Sequence, residues 1–300
     1  MPSSARVKSI LQALFVTFLW STSWVLIKRN LQDIPPLIFA GLRYSLASII
    51  LLPGLIRYRR QLKTITSKHW MYLVILGLVF YTVAQGSQFL SLFYLDAVTI
   101  SLLLNFTTIF VAVLSIFLLN EKPTTRQWIG IGIFLGGVLL YFYPQIRLQG
   151  EWLGYLFPGI TVAANGTATL LGRAINRKRV IPPHVVTAVS MTIGSMGLLS
   201  AGLIIEPFPK LGLANVAVIA WLGVINTALA FTLWNHSQQV LNAYESSLVN
   251  NTILIQIAIL AWIFLGERLS LLDIAALVIA LIGLLLTSLK RSESPLEPVP

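Results

Sequence analysis

Long apolar segments, separated by short polar breaks, dominate the 300-residue sequence. An α-helix rises about 1.5 Å per residue, so about 20 apolar residues cross the roughly 30 Å hydrocarbon core of a bilayer. Hydrophobic residues make up 56% of the chain and charged residues only 10%, a balance that water-soluble domains rarely show. We therefore predict an all-α polytopic membrane protein with ten transmembrane helices. Their expected starts are near residues 10, 36, 69, 96, 126, 152, 182, 213, 244 and 270.

The formal net charge of +11 comes from lysines and arginines that cluster in the polar breaks. They do not interleave with aromatic residues along one face, so the pattern excludes a nucleic-acid-binding surface. It indicates membrane orientation instead, because cytoplasmic loops are enriched in Lys and Arg. With the N-terminus inside, 15 of these residues fall on the cytoplasmic side and 5 on the outer side. Both termini are therefore predicted to be cytoplasmic.

The sequence repeats itself at an offset of 146 residues. The segments "FLLNEKPT" at 117–124 and "IFLGERLS" at 263–270 both end an apolar run with a carboxylate followed by a cation. Further identities at this offset pair Gly77 with Gly223, Ser101 with Ser247, Asn105 with Asn251, and Gly137 with Gly283. Each copy holds five spans, an odd number, so the second copy enters the membrane upside down. The predicted units are residues 1–148 and 149–290, followed by a disordered tail at 291–300.

Glu121 and Glu267 occupy equivalent turns, which the inverted repeat predicts to lie on opposite membrane faces. A carboxylate just before a helix can accept hydrogen bonds from the free N–H groups of its first turn. We therefore interpret each residue as a cap of the helix that follows it. A role in gating or coupling is the alternative.

These two turns, the apolar helices after them ("ALVIALIGLLL" in the second copy) and the opening "LFVTFLWSTSWVLIKR" resemble the drug/metabolite transporter superfamily in its EamA-type, ten-helix form. The resemblance covers nearly all of residues 10 to 290, and among branches the chain is most similar to bacterial exporters of aromatic amino acids. It implies a central cavity lined by helices 1 to 4 and 6 to 9, with helices 5 and 10 at the periphery. It also implies a location in a bacterial inner membrane.

Hydrogen-bonding side chains recur within the apolar spans. Helix 3 carries Tyr81, Gln85 and Gln88 at i, i+4 and i+7, which places them on one face. Helices 4, 6, 8 and 9 carry Asn105, Asn165, Asn226 and Asn251. An amide in lipid needs a partner, so each is expected either to contact substrate in the cavity or to bond to a neighbouring helix. Neutral amides can bind both ends of a zwitterion without a buried charge.

Three tryptophans and one arginine complete the candidate substrate-binding residues. Trp20, Trp24 and Trp234 either form walls for a flat apolar ligand or pack against lipid and neighbouring helices. Arg43 lies about seven residues, or roughly 10 Å, inside helix 2. Its burial costs about 2.5 to 3.5 kcal/mol on insertion scales. We expect Arg43 either to reach outward and bond to backbone carbonyls or to bind a substrate carboxylate.

Several functional classes lack support in the sequence. It contains no G-x-x-x-x-G-K-[ST] phosphate-binding loop, no mid-span carboxylate pair and no cysteine, and its three histidines are scattered. We therefore predict no enzymatic activity, no metal site and no cofactor. Gly132 and Gly136 of helix 5 have the spacing of a helix-packing or dimer contact.

Together these features favour a secondary transporter that exports aromatic or other neutral amino acids, and similar metabolites, by alternating access without tight proton coupling. Its expected partners are a small-molecule substrate and the bilayer, with a monomer or homodimer as the assembly. The alternative is a nucleotide-sugar or phosphorylated-metabolite carrier of the same superfamily. That substrate would require several cavity cations, and only Arg43 qualifies. A polytopic membrane enzyme is the remaining alternative.

Overall fold

The computed structural model describes residues 3–63, 65–119, 124–143, 152–177, 181–237, 240–241 and 243–288. They form ten helices, α1 to α10. Six are continuous: α1 (Ser3–Asn30), α5 (Thr125–Phe142), α6 (Trp152–Arg177), α7 (Pro183–Ile205), α9 (Ala243–Leu265) and α10 (Leu271–Ser288). Four change winding or break: α2 (Pro36–Leu51, then Leu52–Tyr58 and Arg59–Leu62), α3 (Ser67–Leu76, Gly77–Gln85, Gly86–Tyr94), α4 (Ala97–Leu104, Phe106–Leu119) and α8 (Leu213–Gly223, Val224–Leu229, Ala230–Ser237). Glu121 and the predicted tail at 291–300 lie outside the described residues.

The helices have the length and apolarity that a membrane requires. Helices α1, α2, α3, α5, α7 and α8 contain stretches of at least 18 residues that are apolar enough to cross a bilayer. Helices α4, α9 and α10 hold apolar stretches of 10–17 residues. Over the described ranges the chain contains no β-strand. The predicted all-α polytopic membrane fold is therefore confirmed, and the described residues form ten helices as expected.

Contacts between helices follow the inverted repeat, in which each helix corresponds to the one five places later. Helix α2 packs against α7 and α5 against α10, so both contacts join equivalent helices of the two halves. Helix α1 packs against α9, and the equivalent pair, α6 and α4, is also in contact. Helices α1 and α9 run parallel, because Ser21 donates to Gln256 Oε1 at 3.0 Å while the hydroxyl oxygens of Thr17 and Thr252 are 3.5 Å apart. Both halves therefore contribute to one core.

The contact between α5 and α10 depends on a pair of glycines that the repeat relates. A methyl group placed on Gly137 would lie 2.5 Å from Ala280 N and 2.8 Å from Ala276 O. A methyl group on Gly283 would collide in the same way with the backbone of α5. By contrast, Gly132 and Gly136 have nothing within 4 Å at their equivalent positions. The predicted packing role of these two glycines is therefore wrong within the described part of the chain, and a dimer contact stays a prediction.

Backbone details also recur at the 146-residue offset. The segments Gly77–Gln85 of α3 and Val224–Leu229 of α8 are both π-helical and occupy equivalent positions in the two halves. Thr124 and Gln127 form a capping box at the start of α5, and Ser270 and Asp273 bond in the same way at the start of α10. Because π-helical turns occur frequently at functional sites, their recurrence draws attention to the space between α3 and α8.

Glu267 bonds to a helix that is distant in the sequence. Its carboxylate accepts hydrogen bonds from the backbone N–H groups of Ala97 (2.9 Å) and Val98 (3.2 Å) in the first turn of α4. The prediction that Glu267 caps the following helix is therefore wrong. The start of α10 is already satisfied by Ser270 and Asp273. Glu267 instead ties the loop between α9 and α10 to the loop between α3 and α4.

Two more bonded groups lie at the same end of the bundle. Lys28 Nζ donates to the carbonyl oxygens of Leu92 and Leu95, both at 2.7 Å, where α3 ends. The Glu206 carboxylate, after the end of α7, accepts hydrogen bonds from two N–H groups in the first turn of α2. We call this end, defined by Lys28, Glu206 and Glu267, the capped end. The opposite end, where α1 begins, is the N-terminal end.

Candidate functional site: a central cavity

A cavity of about 520 Å³ lies between α1, α2, α3, α4, α6, α8 and α9. Its size falls within the roughly 300 to 1,000 Å³ that is usual for small-molecule sites. Nine of the eleven predicted site residues line it: Trp20, Trp24, Arg43, Gln85, Gln88, Asn105, Asn165, Trp234 and Asn251. The π-helical segments of α3 and α8 are next to it, and α5, α7 and α10 contribute no lining residue from the described part of the chain.

Tyr81 and Asn226, the other two predicted residues, do not line the cavity. The Tyr81 side chain is 3% exposed and packs edge-on against Tyr44, with ring centroids 5.6 Å apart. Asn226 Nδ2 donates to the Leu19 carbonyl oxygen and to Thr22 Oγ1, which joins α8 to α1. Of the two roles expected for a buried amide, Asn226 therefore has the geometry of an interhelical bond.

Arg43 brings a positive charge to the cavity wall. Its side chain is only 5% exposed, and its Nε donates to Thr227 Oγ1 at 2.8 Å. Nη2 makes a longer contact, 3.5 Å, with the carbonyl oxygen of Asn226. Both partners are neutral, and within the described ranges Arg43 is the only charged residue that lines the cavity. The guanidinium is thus held in place by α8 without a compensating carboxylate in the lining.

The rest of the wall combines aromatic rings with hydrogen-bonding groups. Trp20 packs against Phe231 and Trp234, with ring centroids 5.5 and 5.2 Å apart, which forms an aromatic wall between α1 and α8. Elsewhere in the lining, the Tyr44 hydroxyl donates to Gln85 Oε1 at 2.5 Å, which holds that amide between α2 and α3. The cavity therefore offers a flat apolar surface and separate polar positions, as an amphipathic ligand requires.

Helix α4 is locally rewound at Asn105. The backbone there makes i to i+3 hydrogen bonds, from Asn105 N to Leu102 O and from Thr108 N to Asn105 O, and Asn105 Nδ2 donates to Ser101 O at 2.7 Å. The tighter turn changes which residues share a face, so Thr107 lines the cavity together with Thr108. The sequence prediction named Asn105 on this helix and missed Thr107, which lies next to Thr108 in the lining.

Two buried oxygen atoms that belong to lining residues have no hydrogen-bond partner. They are Thr107 Oγ1 on α4 and Asn165 Oδ1 on α6. Most buried polar atoms in proteins are hydrogen-bonded, and an unpaired one costs about 1–3 kcal/mol. These atoms are therefore the strongest local indication of a missing polar partner.

Among the described residues, the cavity is covered at the capped end, and its exposed lining residues lie towards the N-terminal end. The first turns of α4 are fully buried, with Ala97 at 0% and Val98 at 1% exposure, and Glu267 binds their backbone. Burial raises the pKa of Glu267, and the N–H groups of Ala97 and Val98 act in the opposite direction. Thr169 and Asn250, which lie closer to the N-terminal end, are exposed lining residues. Over the described ranges, the exposed residues of the lining therefore lie towards the N-terminal end.

Comparison with known proteins identifies the fold and its class. The sequence matches the EamA-like transporter family twice, over residues 7–143 and residues 152–289. This chain belongs to the EamA-like transporter family. One match falls in each half of the repeat, and the family describes membrane transporters, so the protein is a transporter and not an enzyme.

Related proteins extend over nearly the whole EamA-like transporter. The transporter YoaV of Bacillus subtilis is 26% identical over 268 residues, which cover 88% of this chain and 91% of YoaV. A "Probable amino-acid metabolite efflux pump" of Salmonella typhimurium is 25% identical over 292 residues, 91% of this chain and 92% of the relative. A solved crystal structure shares the fold, with a TM-score of 0.68 at 16% identity, and the alignment covers 93% of this chain and 96% of that one.

Proposed function

We propose that this EamA-like transporter exports amino acids, aromatic or other neutral ones, and similar small metabolites, by alternating access through the central cavity. The observation that carries the proposal is a cavity closed at one end that combines an aromatic wall, amide side chains and a single cation. A relative named as an amino-acid metabolite efflux pump supports the same direction of transport.

Alternating access requires two conformations of similar stability, and an inverted repeat supplies them. When the two halves exchange conformations, the closed end opens and the open end closes, while the site between them stays in place. The repeated π-helical segments beside the cavity are where α3 and α8 can change winding in equivalent ways. The boundaries of the halves, near residue 148, remain part of this proposal.

We propose that the N-terminal end faces the cytoplasm of a bacterium, so the open cavity would load substrate from inside. The support is the asymmetric distribution of Lys and Arg. Because the chain contains no cysteine, R60C and R268C can be labelled singly with an impermeant thiol reagent on intact cells. Both side chains are exposed. Labelling of R268C alone is expected, and labelling of R60C alone would reverse the orientation.

A nucleotide-sugar or phosphorylated-metabolite carrier is less compatible with the lining. Phosphate groups are bound by several arginines or lysines, and the described lining contains Arg43 alone. The alternative remains testable, because nucleotide sugars can be added to the same transport assay as competitors. Competition by a nucleotide sugar, without competition by any amino acid, would favour it.

Uptake by proteoliposomes tests the proposed function directly. Labelled phenylalanine or tryptophan should move down its own gradient at a rate little changed by an ionophore that collapses the pH gradient, since no carboxylate is visible among the described lining residues. W234A should lower the rate, because Trp234 belongs to the aromatic wall. W262A is the matched control, because Trp262 is 61% exposed and does not line the cavity. Strict dependence on the pH gradient would eliminate the uncoupled mechanism.

A further inference from the structure

The charge on Arg43 is the first of two observations that point to the chemistry of the ligand. A guanidinium has five N–H donors, and here it donates to one hydroxyl and one backbone carbonyl and lies 5.3 Å from the centroid of the neutral Tyr44 ring. No carboxylate among the described residues lies within ion-pair distance of it, although 95% of the side chain is buried. A buried cation with neutral partners gains most from an anion that enters the cavity, and a carboxylate matches its planar fork.

The second observation concerns the two unpaired oxygen atoms on other helices. Thr107 Oγ1 and Asn165 Oδ1 are buried, lack partners and belong to residues of the lining. Helices α4 and α6 that carry them pack directly against each other, whereas Arg43 is bonded to α8. An ammonium group has three donors and no acceptor, so it can donate to an oxygen atom on each of these helices without requiring a carboxylate.

We infer that the cavity recognises the two charged ends of a zwitterion at separate positions. Arg43, between α2 and α8, binds the carboxylate, while Thr107 and Asn165, between α4 and α6, bind the ammonium. The aromatic wall of Trp20, Phe231 and Trp234 then receives the apolar side chain. This inference rests on the proposed amino-acid function and specifies how that site distinguishes its substrate.

The arrangement predicts an order among simplified ligands. The carboxylate meets a full charge, whereas the ammonium meets only neutral oxygen atoms. A ligand with a carboxylate and no amine makes the cavity neutral, and a ligand with an amine and no carboxylate adds a second positive charge near Arg43. Phenylalanine should therefore bind best, 3-phenylpropionate next and phenethylamine least.

Binding of these three ligands to the purified full-length protein tests the inference. R43Q should weaken the binding of phenylalanine and of 3-phenylpropionate by about 10- to 100-fold, because hydrogen bonds between charged groups are stronger than neutral ones. The affinity for phenethylamine, which has no carboxylate, should change by less than about threefold. T107V, which keeps the side-chain shape, and N165L should weaken phenylalanine and phenethylamine by roughly 3- to 10-fold and leave 3-phenylpropionate unchanged. The affinity of R43K for phenylalanine should fall between those of R43Q and the unmodified protein, because lysine keeps the positive charge and lacks the planar guanidinium that binds a carboxylate through two hydrogen bonds.

Several results would overturn the inference. An equal loss for all three ligands in R43Q would make Arg43 a support of the cavity wall. If R43Q does not fold, binding to the unmodified protein still tests the inference. Equal affinity for 3-phenylpropionate and for its neutral amide, 3-phenylpropionamide, would exclude a carboxylate position. Absence of binding by all these ligands would also overturn it. The proposed function and the inference can fail separately. If the protein prefers 3-phenylpropionate but transports no amino acid, the proposed function is wrong and the carboxylate position at Arg43 stands. If phenylalanine and phenethylamine are transported equally, amino-acid transport stands and the carboxylate position is wrong.

Discussion

Two adjacent glycines in α5 should respond to the same substitution with opposite signs. In G137A the new methyl group would lie 2.5 Å from Ala280 N and 2.8 Å from Ala276 O, so the backbones of α5 and α10 must separate by about 1 Å to reach ordinary contact. Overpacking of this kind costs typically about 1–3 kcal/mol, and alanine recovers about 0.5–1 kcal/mol over glycine in a helix. The net expectation for G137A is a loss of roughly 1–2 kcal/mol.

G136A has the same chemistry on the same helix without the collision, because nothing lies within 4 Å of the position. Only the higher helix propensity of alanine over glycine remains, so G136A should raise the free energy of unfolding by about 0.5–1 kcal/mol. Thermal unfolding in detergent at one fixed scan rate should show a lower midpoint for G137A, by a few degrees, and an unchanged or higher midpoint for G136A. Destabilisation by G136A would refute the reasoning and would indicate that Gly136 contacts a second copy of the chain.

Further expectations concern the capped end and the amides. E267A should lower stability by roughly 2–6 kcal/mol, because it leaves two buried N–H groups unpaired at about 1–3 kcal/mol each. D273A, which affects only the local cap of α10, is the control for thermal unfolding. The raised pKa of Glu267 means that the folded protein binds more protons than the unfolded chain. Protonation of Glu267 therefore adds a pH-dependent part to the stability, which is present at low pH and is lost as the pH rises through the raised pKa; E267Q should remove this pH dependence. Alanine at Gln85, Asn105 or Asn251 should reduce transport several-fold at normal membrane abundance, whereas Q32A, an exposed amide, should not. Lost abundance with intact specific activity would instead indicate interhelical bonding.

The fold class could be predicted from the sequence because each membrane helix is a long apolar segment that is visible in the sequence itself. Apolar length determines where spans lie, and the 146-residue offset fixes which helices correspond; the contacts of α5 with α10 and of α2 with α7 join such equivalent helices. The same offset relates Thr124 and Gln127 to Ser270 and Asp273, although the residue types differ. Backbone geometry was thus retained where side chains diverged.

What the sequence could not supply are contacts that depend on three-dimensional neighbours. Glu267 caps α4, not the helix beside it in sequence, because α9 ends next to the start of α4. Gly137 packs against α10, whereas Gly132 and Gly136 have no neighbour within 4 Å. The spacing of small residues in the sequence shows that a helix could pack there, but not which glycine meets the neighbouring helix. Thr107 lines the cavity beside a change of winding at Asn105 that the sequence pattern does not show.

The Glu267 contact, combined with the repeat, yields a prediction about Glu121 in the other conformation. Subtracting the offset, Glu267 corresponds to Glu121, and the donors Ala97 and Val98 correspond to Ala243 and Tyr244 at the start of α9. Because the repeat is inverted, a bond from Glu121 to these donors would close the N-terminal end as Glu267 closes the capped end. E267A and E121A should therefore shift the two conformations in opposite directions.

Accessibility of a cysteine in the cavity measures that shift on this cysteine-free chain. Thr169 is exposed, lines the cavity and lies towards its open end, so T169C should react with an impermeant reagent supplied from the N-terminal side. Loss of the bonds that close the capped end should favour the opposite opening, and E267A should slow this reaction by about 5- to 150-fold, given roughly 1–3 kcal/mol of differential stability. E121A should leave the reaction as fast or faster. If both variants change the rate in the same direction, the two glutamates act as ordinary stabilising caps, and the exchange of conformations between the halves does not depend on them.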